Sequence, residues 1–205
     1  MGLNNQKIIL VTAFEPFGGE AMNPTEMILN RLPETIGSHR IRKALLPVDF
    51  ERAPALAIET YNIFAPDAVL MLGQAAGRSA ITPETTAKNI MNARIPDNAG
   101  FQPRELPIRK SRSAALYSTL PLESILEVLN ALDIPCEVSD DAGEFVCNTL
   151  FYRMLRHVNR KIPTGFIHVP CIPEQGHKDQ PFMEFEDEYR AIAAVIETIS
   201  RIISC

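Results

Sequence analysis

The residue in this chain best placed to do chemistry is a cysteine that follows a tight turn and opens a helical pattern. Residues 139–149 read Ser-Asp-Asp-Ala-Gly-Glu-Phe-Val-Cys-Asn-Thr. The turn formers Asp140, Asp141 and Gly143 run into Phe145 and Val146. Cys147 follows, and Leu150, Met154, Leu155 and Val158 then recur at helical spacing. This places Cys147 in or just before the first turn of a helix. Unsatisfied N–H groups and the positive end of the macrodipole lie there, and both favour an anion. The thiol is therefore expected to ionise more easily than a free one, which makes it a candidate nucleophile. The plainer reading is a small residue filling a gap at a helix start, and its company in the chain has to decide.

Cysteine-based acyl transfer needs an imidazole to move the proton and a third group to hold that imidazole. The histidines are His39, His157, His168 and His177. His39 opens a predicted strand near the surface, His157 falls late in a helix and His177 lies in a polar loop. His168, between Ile167 and Val169, sits near the carboxyl end of an apolar strand. It thus reaches the same sheet edge as the loops after Gly73 and before Cys147. A core histidine bonded to backbone is the competing account. The orienting carboxylate is open among Glu84, Asp97, Glu144 and Glu174. Glu84 gains weight by following a small-residue loop at a strand's carboxyl end.

The elements that would position these groups alternate regularly. Residues 7–14 form a continuous apolar run, as expected of a strand buried on both faces. A tight loop through Gly18 and Gly19 leads to Asn23-Pro24-Thr25-Glu26, a helix start with a capping Asn and Pro at the first position. A strand over 40–47, a helix over 49–64 and an apolar strand over 67–73 follow. This rhythm predicts an α/β fold, a parallel sheet covered on both faces. The loop 74–83 lies where open α/β sheets bind ligands. Residues 84–94 read as extended, and 101–113 as irregular, a candidate lid or flexible arm. A helix over 122–132, a short strand over 136–139, the Cys147 helix to 159, a strand over 164–169 and an amphipathic helix over 185–203 complete the chain. Phe14, Phe17, Phe145 and Val146 adjoin the functional edge, either as core residues or as the lining of an apolar slot.

Composition narrows the classes. The 205 residues, 46% of them hydrophobic and 22% charged, suit one globular domain spanning 1–205. A net charge of −5 argues against a nucleic-acid surface. No apolar run approaches the roughly 20 residues that span a bilayer, so no membrane partner is expected. Neither GxGxxG nor GxxxxGK[ST] occurs, which disfavours a nucleotide site. Cys136, Cys147, Cys171 and Cys205 show no CxxC spacing, and the opening residues lack a signal-peptide pattern. The expectation is a cytoplasmic protein with reduced thiols.

Four blocks together resemble the pyroglutamyl peptidase I (pyrrolidone-carboxylate peptidase) family of cysteine peptidases. They are Thr12 through Gly19 with Asn23-Pro24; Gly77-Arg78 through Glu84, continuing with Asn89 and Ala93 through Asn98; Ser139 through Asn148; and Gly165 through Pro170 with Pro173-Glu174-Gln175. The resemblance implies a three-layer α/β/α sandwich with an open, mostly parallel twisted sheet of the phosphorylase/hydrolase kind. It implies removal of an amino-terminal pyroglutamyl residue from peptides by a Cys147, His168 and Glu84 triad. Phe14, Phe17, Gln74, Ile95, Phe145 and Val146 match the positions around the lactam ring. Arg94 and the Cys147 N–H match those that stabilise the oxyanion. The family is cofactor-free, intracellular and commonly a homotetramer. Ala13, Thr85, Thr86, Lys88 and Thr149 depart from the family pattern without removing a catalytic group. Two rival readings are a nucleoside phosphorylase-like enzyme on the same fold and a catalytically silent homologue that binds capped peptides.

Overall fold

In the computed structural model, which describes residues 6–110 and 115–204, β1 (Ile8–Phe14) is the central strand that its apolar run predicts. It pairs in parallel with β3 (His39–Leu46) on one side and β4 (Ala68–Gln74) on the other. β4 in turn pairs in parallel with β8 (Thr164–Val169). Two short strands close the edges in antiparallel sense: β2 (Thr35–Ile36) on β3 and β5 (Thr82–Glu84) on β8. The six-stranded order is β2-β3-β1-β4-β8-β5. A separate antiparallel pair joins β6 (Thr86–Lys88) and β7 (Ala115–Tyr117).

Because successive strand residues point to opposite faces, β1 contributes to two cores. Ile9, Val11 and Ala13 pack with α1 (Pro24–Arg31), α3 (Leu122–Ala131) and α5 (Phe185–Ser204). Leu10 and Phe14 pack with α2 (Arg52–Phe64) and α4 (Val146–Val158). The result is the expected three-layer α/β/α sandwich with a mostly parallel sheet. Asn23 caps α1 as its type predicts, its Oδ1 accepting from the Thr25 N–H at 2.9 Å. The apolar stripe of α5, with Ile192, Val195, Ile196, Ile199 and Ile203, is buried. No helix among the described residues is long and apolar enough to cross a membrane.

One local expectation needs correction, and others gain detail. Residues 136–139 form no strand; they make single bridges, Ile81 to Cys136 and Glu84 to Ser139. The interruption falls at Pro83, which accepts from the Ser139 N–H but has no N–H to return. Residues 101–110 are irregular as expected but pinned: Met91 bridges Leu106, and the Asn89 side chain bonds both the N–H and the C=O of Arg109 at 2.9 Å. The remainder of the proposed arm, 111–113, lies outside the described residues, as does Cys205. The strands β2 and β7, of two and three residues, are too short to leave a periodic signal. Ala13 is an ordinary buried strand residue opposite Leu45, so the substitution there costs no backbone strain.

One buried acid stands apart from the site. Glu188 on α5 has no solvent exposure, and neither carboxyl oxygen has a hydrogen-bond partner among the described residues. Burial, with a smaller push from Glu174, raises its carboxyl to about 9. It is therefore protonated in the folded chain at neutral pH and ionised in the unfolded one. Its contribution to stability is complete below its ordinary value and is lost as pH rises toward the folded value. Glu188→Gln, a neutral isostere, is expected to gain stability relative to the parent as pH rises from about 4.5 to about 9. Thermal unfolding of both proteins across that range checks it, and a gap that stays constant with pH contradicts a protonated Glu188.

Candidate active site

The sheet register assembles the site. On the face that packs against α4, residues 69, 71 and 73 of β4 lie beside 166 and 168 of β8, and Gly73 is the register partner of His168. Cys147 enters from above as the second residue of α4, whose N-cap is Phe145. Gly73 makes room for it. A Cβ there would lie 2.7 Å from the Phe166 ring and 3.0 Å from the Cys147 sulfur. The strand glycine thus marks close approach rather than flexibility. Asn148 locks the start of α4 to β6: its Oδ1 accepts from the Lys88 N–H at 2.8 Å, and its Nδ2 donates to the Lys88 and Ile90 carbonyls at 2.9 Å.

His168 is almost fully buried, and its Nδ1 lies 2.6 Å from Oε1 of the wholly buried Glu84. Burial alone would raise the Glu84 carboxyl. The hydrogen bonds from His168 and the Ser139 hydroxyl, together with the charge of Arg78, outweigh it and hold the group below its ordinary value. An ionised carboxylate only accepts, so Nδ1 must carry the proton and Nε2 is left free to accept one. Burial also lowers His168, against the upward pull of Glu84, so the imidazole is neutral at neutral pH.

Here the structure overturns one expectation. Cys147 does lie at the helix mouth, half-buried, but it is not readily ionised. Burial, followed by the nearby Glu84 charge, pushes its thiol up to about 12, despite its own backbone N–H and Arg78. At rest the cavity is lined by a neutral thiol and a neutral imidazole.

Both groups open onto a cavity of about 610 Å³. Phe14, Phe17, Gln74, Arg94, Ile95, Phe145 and Val146 all line it, so the expected substrate and oxyanion residues share one cavity with the thiol. Phe17 and Phe145 meet at 5.0 Å between ring centroids, and Phe50 buttresses Phe145 edge-on at 5.1 Å. The Gln74 amide is already engaged: its Nε2 donates to Cys171 Sγ and its Oε1 accepts from Gln175, both at 3.1 Å. Arg94 and Ile95 approach on an exposed loop held by Gln102, which donates to the Ala93 and Arg94 carbonyls.

Of the four candidate carboxylates, only Glu84 meets an imidazole. Asp97 accepts from the Phe50, Ala99 and Phe101 N–H groups, Glu144 accepts from Asn92, and Glu174 is exposed on a short 3-10 turn (Pro173–Gln175). Sequence analysis assigned no role to Arg78 or Asn148, although both fall within blocks that carry the family resemblance. It also undervalued His177, which pairs with Glu20 at 3.1 Å on the cavity wall. Among the described residues no group of three His, Cys, Asp or Glu side chains could hold a metal ion. A roughly equal groove of about 680 Å³ near α2 and α4, lined by Arg109, Arg153, Arg156 and Lys161, contains no thiol.

The sequence over residues 7–202 matches the family described as pyroglutamyl peptidase. A pyrrolidone-carboxylate peptidase 1 of Caldanaerobacter subterraneus subsp. tengcongensis is 41% identical over 196 residues, covering 93% of this chain and 97% of that one. A pyrrolidone-carboxylate peptidase of Streptococcus pyogenes is 42% identical over 197 residues, covering 93% and 91%. The crystal structure of Bacillus amyloliquefaciens pyroglutamyl peptidase I superposes with a TM-score of 0.91 at 38% identity, covering 95% of this chain and 97% of that one. The chain belongs to the pyroglutamyl peptidase family.

The neutral thiol has an optical consequence. At pH 7 the parent minus Cys147→Ser ultraviolet difference spectrum is expected to lack a thiolate band, which should grow in only at strongly alkaline pH. A full thiolate band at neutral pH would contradict the protonated thiol.

Proposed function

We infer that in this member of the pyroglutamyl peptidase family Cys147, His168 and Glu84 are the working parts of a cysteine omega-peptidase that removes an amino-terminal pyroglutamyl residue from peptides. The observation that carries the assignment is the buried 2.6 Å bond from His168 to Glu84, beside a half-buried thiol on the wall of a phenylalanine-lined cavity.

The steps follow from the protonation states. His168 Nε2 takes the thiol proton as sulfur forms a bond to the pyroglutamyl carbonyl carbon. The carbonyl π pair moves to oxygen, where the Cys147 N–H at the helix start and the Arg94 guanidinium meet the developing charge. As the C–N bond breaks, the imidazolium returns its proton to the leaving amine. Water then attacks the thioester with His168 as base, the C–S bond breaks, and the proton returns to sulfur. Glu84 holds the ring in the Nδ1–H tautomer and is fully charged when the imidazolium forms.

Specificity follows from the apolar wall of the cavity, because the two carboxylates that line it, Glu20 and Asp141, are already paired with His177 and Lys88. A pyroglutamyl end carries no ammonium, and Phe14, Phe17 and Phe145 offer a slot for a flat, uncharged ring. An ordinary amino terminus would have to bury an unpaired cation there, which is costly. The Gln74 amide can spare one N–H for the lactam while its other contacts hold it still. The same reading makes residues 1–205 one cytoplasmic catalytic domain. It is supported by the free thiols of Cys136, Cys147 and Cys171. A homotetramer, which light scattering would test, is supported by the family resemblance.

Cys147→Ala and Cys147→Ser are expected to abolish release of a chromophore from a pyroglutamyl amide while the circular dichroism spectrum stays unchanged. The parent is expected to leave the corresponding free-amine glutamyl amide intact. Undiminished turnover by Cys147→Ala removes the nucleophile assignment, and tight binding without turnover by the parent would mean a silent homologue.

A further inference from the structure

Glu84 Oε1 is shared between two nitrogens. His168 Nδ1 approaches at 2.6 Å, and Arg78 Nη1 also at 2.6 Å. The second guanidinium nitrogen, Arg78 Nη2, donates to the Asp141 carbonyl at 2.8 Å and to Ser139 Oγ at 3.4 Å. One planar cation therefore spans the carboxylate that orients the base and the turn that runs into the helix carrying Cys147. We propose that Arg78 is a positioning residue for the reaction, holding Glu84 in place against His168 and tying the histidine side of the site to the nucleophile's loop. The proposal rests on the triad reading above and adds to it a fourth group that acts through Glu84.

The reason is electrostatic. Glu84 has no solvent exposure, and its Oε2 has no hydrogen-bond partner among the described residues. Compensation for its charge is concentrated on Oε1. Before proton transfer His168 is neutral, so Arg78 supplies the formal positive charge in contact with the carboxylate. An uncompensated buried carboxylate relieves itself by taking up a proton, and a protonated Glu84 no longer stabilises the imidazolium. The charged and titratable groups facing the pair are Arg78, Cys147 and Asp141, and Lys88 neutralises Asp141 at 3.0 Å. Of these, Arg78 alone bonds Glu84. Arg78 is itself partly exposed, with 23% of its side chain open, so its charge needs no burial of its own. Arg suits the role because its fork holds several acceptors in one plane, which an ammonium does not.

The sign of the pH effect is fixed. Activity that needs ionised Glu84 is lost as pH falls through that group's titration. Removing a cation raises that titration, so the loss moves to higher pH. The test is a double-mutant cycle on folded enzymes, reading kcat, KM and the pH profile with a pyroglutamyl amide. Arg78→Met is expected to lower kcat roughly 10- to 100-fold, as loss of an orienting partner does, with KM little changed and the acid limb moved upward. Arg78→Lys is expected to keep the acid limb near its parental place while recovering only part of kcat. On a Glu84→Gln background Arg78→Met should add almost no further loss.

An unmoved acid limb in Arg78→Met, or losses that multiply on an impaired Glu84→Gln background, overturns the Arg78 proposal and leaves the triad standing. Unimpaired kcat in Glu84→Gln overturns the triad reading itself. If Arg78→Met does not fold, Arg78→Lys decides: a fall in kcat with the acid limb retained supports the proposal, and an unchanged kcat overturns it.

Discussion

A carboxylate with no access to water must be kept charged by the groups that touch it, and the placement of the whole site follows from how Glu84 is kept so. β5 runs antiparallel to β8, with Thr82 opposite His168 and Glu84 opposite Phe166. That register brings the carboxylate to the imidazole from an edge strand of three residues. β4 runs parallel on the other side and sets Gly73 opposite His168, where the missing Cβ leaves space for sulfur. Three strands and one helix mouth thereby converge on one imidazole. The geometry depends on backbone ladders rather than on mobile side chains, which is how a site keeps its groups preorganised.

The thiol illustrates a contest decided by magnitude. A helix N-terminus favours an anion by up to about 2 kcal/mol in good geometry. Burial and the Glu84 charge move the Cys147 thiol from 9.0 up to about 12, equivalent to roughly 4 kcal/mol against ionisation. Burial wins, and the proton stays on sulfur until His168 can take it. In the proposed mechanism, the arrangement keeps Cys147 quiet toward other electrophiles and couples its activation to the transfer of a proton, with Glu84 ready to meet the charge that transfer creates. Arg78 sits behind this pair, favouring the thiolate and opposing a premature imidazolium.

The elements long enough to carry a period were legible in the chain. The apolar runs of β1, β4 and β8 and the stripes of α4 and α5 all lie close to where spacing put them. The edges were not. β2 is a two-residue hairpin arm closed by Gly37 at positive φ, and β5 contains a proline, so neither carries alternation that can be read. Among the site residues, Cys147 announced itself by its turn and helix, and His168 by its strand end. The carboxylate stayed open among four until its family block was recognised, because Glu84 and His168 are 84 residues apart and no local pattern links them. Arg78 lay within a family block but carried no role for the same reason: nothing local links it to the turn at 139–141 that its guanidinium reaches. The ease of ionisation inferred for Cys147 failed because sequence shows the helix but not the burial.

The most direct measurement is nuclear magnetic resonance of His168 with labelled imidazole nitrogens in the free enzyme at neutral pH. The account predicts a neutral ring, protonated on Nδ1 with a strongly downfield proton shared toward Glu84, and a bare Nε2 facing the thiol side. A ring protonated on Nε2, or an imidazolium paired with a thiolate, would contradict it.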